Sequence, residues 1–206
     1  MKINSIILSA GYSTRFGDFK PLAKVYDKTF IECVIENLDR VCDSVTVVGG
    51  HKYKLLEEFL LNKVNENLKI IFNPDYDKGM FSSVQTGIKQ NSDADWFLIH
   101  QVDQPGLPRK FYTDFISQID KAHNWVQPSF NNKYGHPILV NKTLYKLITK
   151  ESIESNLRLV SKNKKIIKKI WDCNYKEILQ DIDTKEDYKE LIRGSRYLND
   201  IGNLKV

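Results

Sequence analysis

Two cationic side chains stand in a glycine-containing loop near the start of this chain. Residues 9–20 read Ser-Ala-Gly-Tyr-Ser-Thr-Arg-Phe-Gly-Asp-Phe-Lys, so Arg15 and Lys20 follow a run of small residues, and both side chains are expected to face solvent. Gly11 and Gly17 are expected where the backbone turns and a side chain would clash. Free N–H groups in such a loop, together with a guanidinium and an ammonium group, can bind phosphates. The same residues could also form an ordinary strand-to-helix turn that carries surface cations.

Carboxylates follow two other predicted extended segments. Asp103 comes just after an apolar run that ends at His100, and Asp181 and Asp183 alternate along a short extended piece, which would place them on one face. Carboxylate oxygens at such positions can hold Mg²⁺ against substrate phosphates. Asp103 could equally form the turn before Pro105, and the later pair could serve only in helix capping and solvent exposure.

Two further segments carry polar groups whose roles the residues alone leave open. Gly79, Ser82 and Ser83 stand at a predicted helix start, where unpaired N–H groups can bind an anion or the edge of a base. The serines could instead simply cap that helix. His136 begins a predicted strand, where a histidine can be structural or can face a substrate.

Strand-like runs alternate with helix-like segments over the first two-thirds of the chain. The predicted strands are Ile3–Leu8, Val45–Val48, Leu68–Phe72, Trp96–His100, Trp125–Pro128, His136–Val140 and Ile166–Trp171. The predicted helices are Phe30–Asp39, Tyr53–Leu61, residues 79–90, Phe111–Ile119, Thr143–Ile148 and Asp187–Arg193. This order is typical of a single-domain, Rossmann-like α/β three-layer sandwich with a mostly parallel sheet. Ligands bind at the carboxyl ends of such strands, so the Gly11 loop, Gly49-Gly50, the segment near Gly79 and the Asp103 turn are expected along one rim.

The composition fits one globular domain with an anionic ligand. The chain has 206 residues, of which 41% are apolar and 28% charged, with a formal net charge of +5. This mild basicity fits an anionic substrate without requiring nucleic acid. Residues 1–193 are expected to form the domain and residues 194–206 a tail. With no signal-like segment and no apolar run of membrane-spanning length, we expect a cytoplasmic protein with no membrane partner.

The three cysteines and a cluster of lysines are expected to have structural roles. Cys33, Cys42 and Cys173 show neither C-x-x-C pairing nor zinc-ligand spacing, so free thiols in or near the core are expected. The segment Lys162–Lys169 is lysine-rich. It could indicate RNA binding, but lysines beside an apolar pair also protect an exposed edge strand from aggregation, and we favour the edge strand.

The loop that contains Arg15 and Lys20 resembles the N-terminal signature of molybdenum cofactor cytidylyltransferase-like nucleotidyltransferases, L-A-A-G-x-S-x-R-M-G-x-x-K. Ser9 and Phe16 depart from it, and the other defined positions match. Four later segments resemble family motifs in the same order, so the resemblance covers most of residues 3–192. These segments are Asn73–Val84, Val102–Pro105, Gly135–Pro137 and Asp181–Tyr188. Within them, Tyr76 replaces a common Trp, Val102 a Gly and Lys185 a Pro.

The resemblance implies a fold of the nucleotide-diphospho-sugar transferase type and a Mg²⁺-dependent transfer of a nucleoside monophosphate. The acceptor implied is phosphorylated, namely molybdopterin or the molybdenum cofactor, with release of pyrophosphate and delivery to a molybdoenzyme as a further step. The Ala10-Gly11 pair is similar to the cytidylyl branch, whereas the guanylyl branch has Gly-Gly, so CTP is the expected nucleotide. The segment Glu154–Leu159 departs from the family's G-D-x-G-A-R run, and only Arg158 has a counterpart there.

Residue roles follow from the same resemblance. The catalytic residues implied are Arg15, Lys20 and Asp103. The nucleotide-binding residues implied are Ser9, Ala10, Gly11, Ser13, Arg15, Lys20, Gly79, Ser82 and Ser83. The acceptor-binding residues implied are Gln104, His136 and Arg158. The Mg²⁺ ligands implied are Asp103 and Asp183, with Asp183 favoured over Asp181.

Two other functions stay open. A related enzyme could transfer the nucleotide to a sugar phosphate or to another small phosphorylated alcohol. A protein of a different class, a non-catalytic nucleotide-binding regulator or cofactor chaperone, could keep the same loop. Pyrophosphate release with Mg²⁺ would separate the enzymes from the regulator.

Overall fold

The computed structural model describes residues 1–25, 27–63 and 66–202, with side chains up to residue 193. Its strands in chain order are β1 Ile3–Ser9, β2 Lys24–Val25, β3 Lys28–Thr29, β4 Ser44–Gly49, β5 Leu68–Phe72, β6 Trp96–Gln101, β7 Trp125–Phe130, β8 Lys133–Tyr134, β9 Ile138–Asn141 and β10 Lys168–Asp172. Its α-helices are α1 Phe30–Leu38, α2 Tyr53–Leu60, α3 Met80–Gln90, α4 Arg109–Ile116, α5 Tyr145–Lys150, α6 Leu157–Val160 and α7 Lys185–Gly202.

β1 lies in the middle of a sheet with the order β10-β7-β9-β6-β1-β4-β5, and β8 extends the end of β7. β1 pairs in parallel with β4 and β6, and β4 pairs in parallel with β5. Within the described residues, β8 and β9 alone run antiparallel to their neighbours in this sheet. The mostly parallel α/β sheet predicted from the sequence is therefore confirmed.

Both faces of β1 are buried because helices cover the two sides of the sheet. Ile7 packs into a core that includes residues of α1, α2 and α4. Ile6 and Leu8 point to the other face, where they pack into a second core with residues of α3, α5 and α6. This alternation explains why every residue of β1 is buried, including the polar Asn4, Ser5 and Ser9.

The same parallel register brings the carboxyl ends of the central strands together. Ser9 stands opposite Gly49 of β4, and Leu8 stands opposite Gln101 of β6. The backbone N–H of Val102 donates to the carbonyl oxygen of Leu8 at 3.2 Å, which continues the pairing to the residue before Asp103. The loop after β1 and the Asp103 turn therefore lie on the same rim, as predicted.

Two capping boxes fix helices on one face of the sheet. Thr29 caps α1, and its hydroxyl and backbone N–H both bond with Glu32. Thr184 caps α7 in the same way, since its backbone N–H donates to Oδ2 of Asp187 at 2.7 Å and its hydroxyl accepts from the Asp187 N–H at 3.1 Å. Each threonine thus pairs backbone groups that the first turn of its helix would otherwise leave without partners.

Some boundaries differ from the prediction. α7 begins at Lys185 and continues to Gly202, so residues 194–202, expected as a tail, extend this helix, and residues 203–206 lie outside the described part. The hairpin of β2 and β3, the short β8 and the single-turn helix α6 were not predicted, because each is too short to show a hydrophobic period. β10 lies at the edge of the sheet, as expected for the lysine-rich segment. No helix among the described residues has the length and apolar character needed to span a membrane.

Candidate active site

A cavity of about 300 Å³ opens at the carboxyl ends of β1 and β6. Most of the residues predicted to bind the nucleotide or the metal line it. They are Ser9, Ala10, Gly11, Ser13, Arg15, Lys20, Gly79, Ser83, Asp103 and Asp183. The prediction that the loop after β1, the Gly79 segment and the Asp103 turn meet at one place is therefore confirmed.

The loop after β1 is held in shape by its own backbone. The carbonyl oxygen of Ser13 accepts hydrogen bonds from the N–H groups of Phe16 and Gly17, both at 3.1 Å. Ser13 has a φ of 54° and Gly17 a φ of 79°, so two residues of this short loop adopt the left-handed conformation. The turn expected at Gly17 is confirmed.

The structure gives a different reason for a glycine at position 11 from the one predicted. Its φ lies outside the left-handed region, and no heavy atom beyond its two chain neighbours lies within 4 Å of the position that a Cβ would occupy. The expected clash between a side chain at Gly11 and the protein is therefore wrong. Because Gly11 lines the cavity, the absent side chain instead leaves space there.

Four charged side chains form one cluster beside this loop. Nζ of Lys20 lies 2.9 Å from Oδ1 of Asp183 and 3.5 Å from Oδ2 of Asp103. Nη2 of Arg15 lies 2.8 Å from Oδ2 of the same Asp183. The Arg15 side chain is 73% exposed, as expected, but that of Lys20 is only 8% exposed. The expectation that Lys20 faces solvent is therefore wrong, because this cation is enclosed between the two carboxylates.

The chain brings Asp183 to Asp103 by a direct backbone contact. The N–H of Ile182 donates to the carbonyl oxygen of Asp103 at 2.9 Å, and the N–H of Asp183 is held by Asp187 of the capping box at 3.0 Å. The N–H of Asp183 also lies 3.1 Å from the carbonyl oxygen of Asp181, so this segment is a tight turn and not the extended piece predicted.

The two carboxylates of this turn consequently contact different partners. Asp183 reaches Arg15 and Lys20, whereas Oδ1 of Asp181 accepts a hydrogen bond from Nε2 of Gln104 at 2.9 Å. Only Asp183 of the pair lines the cavity. This geometry favours Asp183 as the partner of Asp103.

Asp103 is placed where an ionised carboxylate is poorly solvated. Burial raises the pKa of Asp103 to about 6, with Lys20 opposing this shift and the nearby Asp181 and Asp183 adding to it. Oδ1 of Asp103 is buried without a hydrogen-bond partner, and so is the hydroxyl oxygen of Ser9 in the same cavity. Buried polar atoms are rarely left unpaired, so these two oxygens are available to a ligand.

These residues fit a Mg²⁺ ion that also binds substrate. The described residues hold no group of three or more His, Cys, Asp or Glu side chains able to bind a metal by themselves. Mg²⁺ does not need such a group, because it commonly takes one or two carboxylates, several waters and substrate phosphates. Asp103, with its unpaired oxygen, and Asp183 provide two carboxylates next to two cations that can bind phosphate.

The serines of α3 have separate contacts. The amide nitrogen of Asn73 donates to the hydroxyl oxygens of Ser82 at 2.8 Å and Ser83 at 3.0 Å. The hydroxyl of Ser82 donates in turn to the carbonyl oxygen of Gly79 at 2.7 Å, a local contact at the helix start, and Ser82 does not line the cavity. Ser83 does line it, so of the two predicted serines this one can meet a ligand there.

The residues predicted to bind the acceptor lie outside this cavity. Gln104 is buried, and its amide nitrogen donates to the carbonyl oxygen of Ile178 at 3.0 Å as well as to Asp181. The backbone N–H of His136 donates to the same carbonyl at 3.1 Å, and burial lowers the pKa of its imidazole. Both residues therefore support the segment that carries Asp183. Arg158 lies exposed in α6 and does not line the cavity.

Val102, which stands where the family motif has glycine, fits its position. Its backbone is not left-handed, and its side chain is buried in the core on the α1 and α4 face of the sheet. A side chain is therefore tolerated before Asp103.

Several cavity residues were not identified from the sequence. They are Tyr12, Tyr76, Asp77, Met80 and Gln101. The ring of Tyr12 lies 5.6 Å from that of Tyr76 and 4.9 Å from that of His51. A Cβ on Gly50 would lie 2.4 Å from Cβ of Tyr76 and 2.8 Å from that of Ala10, so the glycine allows this packing. The Gly49-Gly50 pair indicated a close approach of the chain at this point. The sequence does not indicate that Tyr76 is the residue that approaches.

Comparisons with known proteins show the family of this chain. The model of the MobA-like NTP transferase domain matches residues 5–169. The chain is 29% identical to the molybdenum cofactor cytidylyltransferase of Escherichia coli, covering 90% of this chain and 93% of that protein. It is 26% identical to a protein of Bacillus cytotoxicus named probable molybdenum cofactor guanylyltransferase, covering 92% and 96% of the two chains.

A solved structure extends the agreement to the fold. A nucleotidyl transferase from Methanothermobacter thermautotroptrophicus superposes with a TM-score of 0.79 at 16% identity, covering 94% of this chain and 97% of that one. At this identity the match shows the fold alone, which is that of the nucleotide-diphospho-sugar transferases. Because the family model covers most of the chain, this protein belongs to the family of nucleotidyltransferases with a MobA-like NTP transferase domain.

Proposed function

We propose that this protein transfers CMP from CTP to the phosphate group of molybdopterin, or of the molybdenum cofactor, and releases pyrophosphate. The observation that carries the proposal is the cluster in which Lys20 is enclosed between Asp103 and Asp183 beside the loop that contains Arg15. Cations and carboxylates that meet at one cavity suit a reaction between a triphosphate and a second phosphate, because such chemistry depends on positioning and charge neutralisation.

Each charged residue has a role that follows from its position. Arg15, which is exposed and paired only with Asp183 among the described residues, would turn to the β- and γ-phosphates and neutralise the leaving pyrophosphate. Lys20, held in place by two carboxylates, would bind the α-phosphate and the attacking acceptor oxygen together. When bound, Mg²⁺ would be held by Asp103 and Asp183 and would supply Lewis-acid polarisation of the α-phosphate.

No residue is needed as a general base for this attack. A phosphate nucleophile is already ionised at neutral pH, so the protein has only to orient it. The buried His136 imidazole, whose pKa is lowered by burial, therefore needs no proton-transfer role. The contact that links His136 to the segment carrying Asp183 comes from its backbone N–H, which donates to the carbonyl oxygen of Ile178, as the side chain of Gln104 also does.

The choice of CTP rests on Ala10 in the cavity wall. A methyl group at this position takes space that glycine would leave to a purine. Steric differences of one methyl group are typically worth about 1–3 kcal/mol, or roughly 10- to 200-fold in preference. The relatives include both a cytidylyltransferase and a protein named for guanylyl transfer, so the base is part of this proposal.

A sugar phosphate is the second candidate acceptor. It is favoured by one observation: Gln104, His136 and Arg158 do not line the cavity, so the residues expected to bind a pterin are not assembled there. A non-catalytic regulator is the remaining alternative, and it would bind nucleotide without turnover.

The experiment is a pyrophosphate-release screen with purified protein and Mg²⁺. CTP, GTP, ATP and UTP are each combined with molybdenum-loaded pterin or with a panel of sugar phosphates. The proposal predicts release with CTP and the pterin. Release with a sugar phosphate alone would transfer the assignment to the second candidate, and binding of CTP without release under any condition would favour the regulator.

A further inference from the structure

The side chains that line the cavity fall into two groups. The first group is joined by ion pairs and consists of Arg15, Lys20, Asp103 and Asp183. The second group surrounds the 3₁₀ turn Tyr76–Lys78 and includes the ring of Tyr12, which is 49% exposed and 5.6 Å from the ring of Tyr76. If the triphosphate binds the first group, the base of the nucleotide would contact the second group.

Open space in the cavity lies next to this second group. Gly11 and Gly79 both line the cavity, and neither has a heavy atom within 4 Å of the position of a Cβ. A flat ring needs such space, and an exposed tyrosine ring offers a face for stacking. The second group therefore offers a nucleobase both open space and an aromatic face.

Asp77 is the carboxylate within this group. Its side chain is exposed, and among the described residues it makes no hydrogen bond or ion pair. Its neighbour Lys78 is instead paired with Asp75, with Nζ 2.7 Å from Oδ1. Asp77 therefore offers free hydrogen-bond acceptors to whatever occupies the cavity beside Tyr12 and Tyr76.

We propose that Asp77 determines base specificity by accepting a hydrogen bond from the exocyclic amino group of the base. This inference rests on the proposed function and deepens it. Cytosine presents an amino donor where uracil presents a carbonyl oxygen, which a carboxylate would repel. Asp77 thus selects CTP against UTP, and Ala10, through its size, selects against purines.

Equilibrium binding tests this assignment without any acceptor. Calorimetric titrations with CTP, UTP and inorganic tripolyphosphate are carried out on the wild-type protein, Asp77→Asn and Asp77→Ala. The wild-type protein should bind CTP at least about tenfold more tightly than UTP, the scale expected when a polar group is left unpaired or opposed. In Asp77→Asn, whose amide can also donate to a carbonyl, the two affinities should come within about threefold of each other.

The controls separate the base contact from folding and from phosphate binding. Asp75→Asn removes a carboxylate from the same exposed segment but outside the cavity, and it should keep the wild-type CTP preference. Asp77→Ala should lose affinity for CTP and gain less affinity for UTP than Asp77→Asn does, because alanine removes the repulsion but donates no hydrogen bond. Tripolyphosphate should bind all four proteins equally, because its contacts lie in the ion-paired group.

The outcomes distinguish this inference from the function on which it rests. An unchanged CTP-to-UTP ratio in Asp77→Asn, or equal binding of the two nucleotides by the wild-type protein, overturns the role of Asp77 alone. If the wild-type protein binds neither the nucleotides nor tripolyphosphate, the proposed function falls, and this inference falls with it.

Discussion

The ammonium nitrogen of Lys20 lies 2.9 Å from Oδ1 of Asp183, although 163 residues separate them in the sequence. The same nitrogen lies 3.5 Å from Oδ2 of Asp103, which follows β6. One cation near the amino terminus thus joins the two carboxylates that we propose as metal ligands. Because its side chain is nearly buried, Lys20 serves both the folded structure and the proposed chemistry.

Replacing Lys20 with Met should lower turnover by at least about 100-fold, the usual loss when one preorganised charge contact is removed. The free energy of unfolding of this variant should also fall by about 1–3 kcal/mol, because two partly buried carboxylates lose their shared partner. Steady-state kinetics and urea unfolding measure the two effects.

Arg15→Ala is the matched comparison. It should lose turnover on a similar scale but keep the wild-type unfolding midpoint, because the Arg15 side chain is 73% exposed and exposed ion pairs contribute little to stability. Turnover within about threefold of wild type in both variants would contradict the assignment of the loop.

Asp103→Asn and Asp183→Asn should each abolish Mg²⁺-dependent pyrophosphate release while the proteins stay folded. Each amide keeps the shape of the carboxylate but removes the charge that a hard cation requires. Activity is measured across a Mg²⁺ titration, and circular dichroism checks the fold.

Asp181→Asn is the control for this pair, because its carboxylate contacts Gln104 and lies outside the cavity. It should retain a wild-type Mg²⁺ requirement. A normal Asp183→Asn protein together with an inactive Asp181→Asn protein would show that the second ligand has been assigned to the wrong aspartate.

Asp103→Asn should also stabilise the protein at pH 8 when Mg²⁺ is chelated. The pKa of Asp103 is raised to about 6 from 3.8, so above pH 6 the ionised carboxylate destabilises the folded state by about 2–3 kcal/mol. As the pH falls from 6 to 4, the folded state takes up this proton before the unfolded chain does, and the penalty disappears. Urea unfolding of the wild-type protein and of Asp103→Asn is measured at pH 8 and at pH 4.5. The difference between their free energies of unfolding should be larger at pH 8, and an equal difference at the two pH values would refute the prediction.

The sequence predicted which segments meet at the rim of the sheet, but it did not predict the contacts between their side chains. The buried strand β1, with its apolar residues Ile6, Ile7 and Leu8, and the glycine loop after it place Arg15 at the carboxyl end of a parallel sheet. The burial of Lys20 could not be predicted, because it depends on a contact with Asp183 formed by the fold. The length of α7 was underestimated because Gly194 looked like a helix stop, whereas the helix continues through it.

The residues predicted to bind the acceptor show even more clearly that side-chain contacts could not be predicted from the sequence. Gln104 and His136 match family motifs, yet both contact Ile178 and support the Asp183 turn. A motif indicates that a residue belongs near a site, but which atoms it contacts depends on a segment more than 40 residues away. Tyr12 and Asp77 were missed for the converse reason, since neither stands at a defined motif position.

Ala10→Gly should shift nucleotide preference toward GTP. Removal of one methyl group from the cavity wall makes room for the larger base, and the ratio of kcat/KM for CTP over GTP should fall by roughly tenfold or more. Rates with both nucleotides at matched concentrations measure this ratio. A wild-type GTP rate equal to or above the CTP rate would contradict the proposed base.

Attack on the α-phosphate is tested most directly by following a labelled phosphate. The protein is incubated with Mg²⁺, molybdenum-loaded pterin and CTP carrying radioactive phosphorus at either the α or the γ position. We expect the α label to appear on the pterin while the γ label leaves as pyrophosphate. Transfer of the γ label to the acceptor, or its release as inorganic phosphate with the α label left on CDP, would contradict it.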